Sequence, residues 1–464
     1  PRFKEVPCST STHSAAMSPF TREVDQGLGQ YHSESRCHDD GLADDSDCTL
    51  TITRQGSATQ GHAMTIPSDD AIGSSPTHRA GRSGALPSAM EPFEAGRLYE
   101  VIPGRLAYTA HTNDDMTRRA IDRFPSHFYF SDNHQDLYEP FCADFGPVNL
   151  SLVHSFCAMM RKHIAHQKLM NRKLVYYSST DVAERTNTAF LLAAFLVIEL
   201  KMAPHNAWAP FAAIGPPLKG GMAGKDAFET YRDATFSKKK YGLSILSCLE
   251  GLYKAMSLGW YNPRAFNQEA YDLLDDPTFA DMHVLCPKFV AFKSPERRTG
   301  RHGDSTCGFS PSYIAPLFRD GLSCNTVIRL NEASSYDASK FEKHGVKHFD
   351  MYFDDCTNPP RALVDEFLAT CEARQGRIGV HCRAGLGRTG TLVAVYWMKH
   401  FGWTAAQCIG FMRIVRPGCV IGRQQHYLEE VEVLMRNGRW EAGEDVGDVG
   451  PPPPPSPPPG STPF

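Results

Sequence analysis

The stretch His381-Cys382-Arg383-Ala384-Gly385-Leu386-Gly387-Arg388-Thr389 lies between an apolar run, Arg377 to His381, and an apolar-periodic segment from about Thr389 to His400. The first reads as a strand and the second as a helix. Five residues separate Cys382 from Arg388. Gly385, Gly387 and Gly390 let the chain curl tightly enough for successive N–H groups to point inward. A nest of amides at a helix N-terminus is an anion site. Arg383, Ala384, Gly385, Leu386, Gly387 and Arg388 would together hold phosphoryl oxygens, with Arg388 as a planar, two-pronged clamp.

The same field favours thiolate, since thiols at helix N-termini beside cations ionise more readily than free ones. Cys382 is therefore expected to attack phosphorus in line, and Thr389 to donate its hydroxyl to the departing sulfur in a second step. The leaving oxygen needs a proton from a nearby acid. Phe353-Asp354-Asp355-Cys356-Thr357-Asn358-Pro359 follows a strand of the same sheet and supplies two. Asp355, the second residue beyond that strand, is better placed on the loop than Asp354. Hydrolysing the phosphocysteine requires a positioned water, for which Gln424 and Gln425 at the start of a later helix are the candidates.

Working outward, Thr326 to Leu330 and His348 to Phe353 read as strands, with a short helix between them, Ala338 to His344, that Gly345 terminates. Asn358 reads as the cap of a helix opened by Pro359 and Pro360, with Leu363, Phe367, Leu368 and Cys371 on one face. Strands separated by helices of this length imply a mostly parallel, covered sheet. The N-terminal half echoes the unit. Leu174-Val175-Tyr176-Tyr177 reads as a strand, and Arg185-Thr186-Asn187-Thr188 opens an apolar helix. Ser179 stands six residues before Arg185 as Cys382 stands six before Arg388. Two related domains are expected, the first without its thiol.

The 464 residues suffice for two cores. A net charge of −4 argues against a general nucleic-acid binder. The most apolar run, Ala189 to Ile198, is half the length needed to span a bilayer and reads as a buried helix. No basic start with a hydrophobic core follows Pro1, so no secretory signal is expected. The fourteen cysteines show no CxxC pair or metal-ligand spacing. A reducing cytosolic or nuclear compartment is expected, with no metal and no cofactor. Residues 1–92, rich in Ser, Thr, Gly, Asp and His, read as disordered. The tail 442–464 ends in Pro451–Pro455, Ser456 and Pro457–Pro459, a polyproline II segment that suits a spacer or an SH3/WW-type partner.

These residues resemble the Cdc14 family of dual-specificity protein phosphatases. The likeness covers most of 94–437: Asp144-Phe145-Gly146-Pro147-Val148-Asn149-Leu150, Arg232-Asp233-Ala234-Thr235-Phe236, Val327 to Asn331, His348 to Pro359, Val380 to Thr391, and Arg416-Pro417-Gly418 to Gln424-Gln425. The resemblance implies an α/β fold of two tandem cysteine-phosphatase-like domains, each a central mostly parallel sheet flanked by helices. The first, 93–283, would be degenerate and read substrate; the second, 284–441, would be catalytic. It implies Cys382 as nucleophile, Arg388 as clamp and Asp355 as general acid. It also implies phosphoprotein substrates at Ser-Pro sites with a basic residue downstream, met by an acidic groove. Glu269, Asp272, Asp275 and Asp276, with Asp181 and Glu184 from the degenerate loop, are the expected acids. Cell-cycle, mitotic-exit or cilium-related control in nucleus and cytoplasm, at spindle pole, centrosome or basal body, follows from the same resemblance. Departures are Arg383 where Lys is common, Cys356 where Gly is common, Arg423 where Pro is common, and a glycine-rich insertion, Leu218 to Lys225. A phosphoinositide phosphatase is the alternative enzyme, disfavoured by Leu386 at the loop centre, and a phosphoprotein-binding scaffold the non-enzymatic one.

Overall fold

The computed structural model describes residues 91–131, 138–216, 226–296 and 309–446, with the backbone of 218–219 and 222–223. The expected disordered segment 1–92, apart from its last two residues, lies outside the described residues. So do the proline-rich run and half of the glycine-rich insertion, residues 220–221 and 224–225.

The first domain is built on strands β1 (Tyr99–Ile102), β2 (Leu106–His111), β3 (His127–Phe130) and β4 (Lys173–Ser179), in the spatial order β1-β2-β4-β3. Strand β1 pairs antiparallel with β2; the other pairings are parallel. Helices α1 (Asp114–Arg123), α2 (Leu150–Ala165) and α3 (Val182–Ile198) start on side-chain caps from Asn113, Asn149 and Asp181. From Arg185 to Ile198 every residue of α3 is buried, as its all-round apolar sequence requires. Helices α4 (Pro204–Ala212), α5 (Ile245–Ser257) and α6 (Gln268–Asp275) complete this half. Among the described residues, no helix is long and apolar enough to cross a membrane.

The second sheet contains β5 (Met282–Val284), β6 (Phe289–Phe292), β7 (Cys324–Arg329), β8 (Lys347–Asp350) and β9 (Arg377–His381), in the order β8-β7-β9-β6-β5. Only β5 is antiparallel to its neighbour. The order matches the first sheet with one strand added beyond the position of β3. The echo read from the sequence therefore has a topological counterpart: β4 and β9 are the corresponding central strands, each feeding a helix. Strand β5 straddles the expected boundary at 283/284, and its pairing assigns it to the second sheet. The later helices are α7 (Arg361–Glu372), α8 (Gly387–Phe401), α9 (Ala405–Val415) and α10 (Gln424–Arg436).

Two local expectations are corrected. Asn358 does not cap α7; the cap position falls on Pro360 and carries no side-chain hydrogen bond. Pro359, as the residue before a proline, is kept out of the helical region, Pro360 itself stays extended at φ −62°, ψ 146°, and the helix starts at Arg361, whose Nε meets the carboxylate of Asp365 one turn on. Strand β8 ends at Asp350 rather than Phe353, because beyond it the ladder thins to Met351 N–Arg329 O at 2.9 Å and a long Phe353 N–Leu330 O contact at 3.5 Å.

One apolar cluster runs through both domains. Its seam is the crossing of α5 and α9, where two glycines remove the obstacle to close approach. A Cβ on Gly251 would lie 2.5 Å from Gln407 O, and one on Gly410 2.9 Å from Cys248 Cα. This seam fixes the first domain against α9, whose C-terminal end leads directly into Arg416.

Candidate active site

Strand β9 is buried along its whole length and is flanked by β6 and β7, with Phe292 and Arg329 both in register with His381. It delivers its C-terminal end to a crevice at the carboxyl edge of a parallel sheet, the usual place for a site in such folds. His381 is fully buried. Its Nδ1 meets Cys382 O at 3.0 Å and its Nε2 meets the Tyr336 hydroxyl at 2.7 Å, which also meets His348 Nε2 at 2.8 Å. Burial pushes the His381 imidazole down to about 3, so it is a neutral brace for the loop.

The loop after β9 has its carbonyls turned outward. Arg383 O accepts from Ser294 N at 3.0 Å, Ala384 O and Gly385 O accept from Arg416, and Leu386 O accepts from Gly390 N and Val420 N. Gly387 O accepts from Thr391 Oγ1 at 2.8 Å. Among the described residues, the amides of Arg383, Ala384, Gly385 and Leu386 donate to no protein acceptor. Gly385 is obligatory here. Its φ is +68°, and a Cβ would stand 2.1 Å from Phe292 O.

Cys382 is 3% exposed beneath this cradle. Arg388, at the second position of α8, is 1% exposed; its Nη1 donates to Phe353 O at 2.9 Å and Leu330 O at 3.2 Å. These bonds anchor the guanidinium to the end of β7 and to the strand-to-loop segment at Phe353. Asp355 Oδ1 lies 3.2 Å from Arg388 Nε, so of the two candidate carboxylates it is Asp355 that stands beside this guanidinium. Asp354 instead accepts from the Tyr352 hydroxyl, outside the cradle. Thr389 Oγ1 is buried with no hydrogen-bond partner among the described residues, and it makes no hydrogen bond to the Cys382 sulfur.

The two glutamines separate. Gln424 is fully buried: Nε2 donates to Thr357 O on the Asp355 loop, while Oε1 has no partner among the described residues and faces Gly387. Gln425 has both ends committed, accepting from Arg413 Nη2 at 2.7 Å and donating to Gly422 O at 3.0 Å. Of the two glutamines, Gln424 alone keeps an uncommitted side-chain atom among the described residues.

The corresponding first-domain loop cannot work in this way. Helix α3 begins three residues after Ser179, whereas α8 begins five after Cys382. Arg185 therefore sits at the fourth helical position rather than the second, about 200° further round the helix. It packs over the Phe93 ring, 4.0 Å from the centroid. The carboxylate of Glu184 fills the cradle, accepting from Ser179 N at 2.8 Å and from Ser179 Oγ. The matching spacing of six residues hid a loop two residues too short.

A groove runs from this loop between the domains, walled by Tyr138 and Phe141, by Asp272, Asp275 and Asp281, and by Lys293 and Arg416. Of the six expected acids, Asp272 and Asp275 are in its wall. Burial, reinforced by the charge of Asp275, pushes the Asp272 carboxyl up. The other four are elsewhere: Asp181 caps α3, Glu184 fills the degenerate loop, Asp276 accepts from Thr278 N and Oγ1, and Glu269 stands in the first turn of α6 outside the groove wall. Sequence reasoning missed Phe141, Asp281, His283, Lys293 and Arg416. The quoted run Arg416-Pro417-Gly418 contained the signal, an arginine placed just after an apolar helix.

Residues 100–255 match the family model described as the N-terminal half of dual specificity protein phosphatases, and residues 317–433 match the dual specificity phosphatase catalytic domain. Dual specificity protein phosphatase CDC14A of Mus musculus is 36% identical over 318 residues, 68% of this chain and 50% of that protein. Dual specificity protein phosphatase CDC14C of Homo sapiens is 35% identical over 317 residues, 68% of this chain and 67% of that protein. The chain belongs to the Cdc14 family. Another Cdc14 relative, tyrosine-protein phosphatase CDC14 of Saccharomyces cerevisiae, is 31% identical over 356 residues, 75% of this chain and 59% of its own. The chain spans half the length of the mouse Cdc14 relative. The expected departure at Cys356 has a backbone meaning: its φ is +57°, the left-handed region that glycine enters freely.

Proposed function

We propose that this chain is a protein phosphatase acting on phosphoserine and phosphothreonine, and on phosphotyrosine, through a phosphocysteine intermediate. The observation that carries the reading is the cradle of uncommitted amides at residues 383–386 above Cys382, with Arg388 and Asp355 at its rim. Cys382 Sγ attacks phosphorus while the leaving oxygen takes the proton of Asp355. The inward amides and Arg388 hold the three equatorial oxygens throughout. Water oriented by Gln424 then attacks the phosphocysteine, giving its proton to Asp355 carboxylate, and the sulfur leaves as thiolate with the Thr389 hydroxyl turning to meet it.

The preferred substrates are Ser-Pro sites with a basic residue downstream, because Asp272 and Asp275 line the groove that leads away from the loop. The first domain, up to the start of β5, serves this recognition and the second the chemistry. The same reading carries cell-cycle and cilium-related roles at nucleus, spindle pole, centrosome or basal body. It leaves the proline-rich tail as a ligand for an SH3/WW-type partner.

The test compares wild type, Cys382→Ser and Asp355→Ala on p-nitrophenyl phosphate, a phosphoserine-proline peptide and a phosphoinositide. The reading expects turnover that Cys382→Ser abolishes, with Asp355→Ala hurting the alkyl-phosphate peptide most. Faster release from the phosphoinositide selects the lipid reading. Tight peptide binding by every form without any turnover selects a scaffold.

A further inference from the structure

Arg416 is 3% exposed, and its guanidinium is divided between two sides. Towards the loop, Nε donates to Gly385 O at 3.1 Å and Nη2 to Ala384 O at 2.8 Å. Towards the groove, Nη2 meets Asp281 Oδ1 at 2.8 Å and Nη1 donates to His283 Nδ1 at 3.0 Å. Because Nδ1 accepts, the proton of the His283 ring is on Nε2. That nitrogen lies 3.0 Å from Asp275 Oδ1, off the N–H axis, an electrostatic contact rather than an aligned hydrogen bond. The ring is 2% exposed, and burial keeps it neutral.

We propose that Asp275, His283 and Arg416 form a positioning relay that orients the phosphate-binding amides from the groove side. The peptide plane supplies the mechanism. In a trans peptide C=O and N–H point in opposite directions, so pulling Ala384 O and Gly385 O outward aims the Gly385 and Leu386 amides inward. Arg416 does the pulling, and His283 absorbs the N–H that would otherwise be buried without an acceptor. Asp275 then fixes which way the imidazole faces. Its carboxylate, counted from the sequence as a contact for substrate, is spent at least in part on the loop. His283 and Asp275 are positioning residues, touching neither phosphorus nor sulfur. The inference rests on the reading of the loop as a phosphate site.

Two measurements on the full chain separate the relay from that reading. One is tungstate affinity by calorimetry in the Cys382→Ser background, which needs no turnover. The other is kcat and KM on p-nitrophenyl phosphate, which has no side chain to reach the groove. His283→Leu, removing both ring contacts, should weaken tungstate binding by about tenfold or more and lower kcat/KM in parallel. His283→Asn, whose Oδ1 can replace Nδ1 as acceptor, should restore most of both. Asp275→Ala should weaken tungstate binding as well, and it keeps the test decisive if His283→Leu fails to fold. Unchanged tungstate affinity in Asp275→Ala and His283→Asn together with His283→Leu, or an Asp275→Ala defect confined to KM for lysine-containing peptides, overturns the relay. Loss of tungstate affinity in an enzyme without turnover upholds the relay and removes the phosphatase reading instead.

Discussion

At the scale of single residues the site divides its polar groups into those already spent and those held in reserve. Gln425 is spent on Arg413, so Gln425→Ala should leave phosphoryl transfer intact and destabilise the fold by about 1–3 kcal/mol, the cost of an orphaned buried donor. Gln424 is in reserve; Gln424→Ala should slow phosphocysteine hydrolysis by about 10²-fold and turn the time course into a burst. Stopped-flow kinetics beside chemical denaturation resolves the two. His381 gives a pH prediction. Its folded value, about 3 through burial, is below the ordinary 6.5, so between these limits the unfolded chain binds the extra proton. Stability should therefore fall as pH drops from about 6.5, with a slope of up to about 1.4 kcal/mol per pH unit from this group. His381→Asn should flatten that slope in thermal unfolding between pH 7 and 5; an unchanged slope contradicts a neutral brace. Cys382, Arg388 and the glycines were legible in the sequence because the nest has a fixed local grammar. The division of labour between the glutamines was not, since it depends on Arg413 twelve residues earlier reaching back across a turn.

At the scale of elements, the two βα units were legible from periodicity, and the correspondence of β4 with β9 follows from their common sheet order. What periodicity could not report was the start of α3. The cap at Asp181 begins that helix early, shortens the loop and rotates Arg185 away from the cradle. The acids were misjudged for a related reason: a charge run shows composition, while the turn at Asp276 and the cap at Asp181 decide where each carboxylate goes. The seam of α5 and α9 is equally invisible in sequence, since a glycine inside a helix normally reads as a defect. Here the glycines permit contact with backbone, which cannot yield. Gly251→Ala and Gly410→Ala should each cost about 1–3 kcal/mol despite the better helix propensity of alanine. Gains in thermal stability would contradict the close crossing.

At the scale of the whole molecule, a domain with a self-filled loop is packed against one with an open loop, and the groove between them borrows its walls from both. Asp272→Asn should therefore reduce the advantage of a phosphoserine-proline peptide with a downstream lysine over one without it. Its effect on p-nitrophenyl phosphate should be small by comparison. Steady-state kinetics on the two peptides checks this, and a lysine preference that survives the substitution would move recognition away from α6. The central claim is that Cys382 carries the phosphoryl group. Rapid acid quench of Gln424→Ala with a phosphopeptide, followed by mass spectrometry of the digest, tests it most directly. The account predicts a stoichiometric phosphoryl adduct on Cys382 that is absent from Cys382→Ser, whereas turnover by Cys382→Ser, or an adduct on another residue, would contradict it.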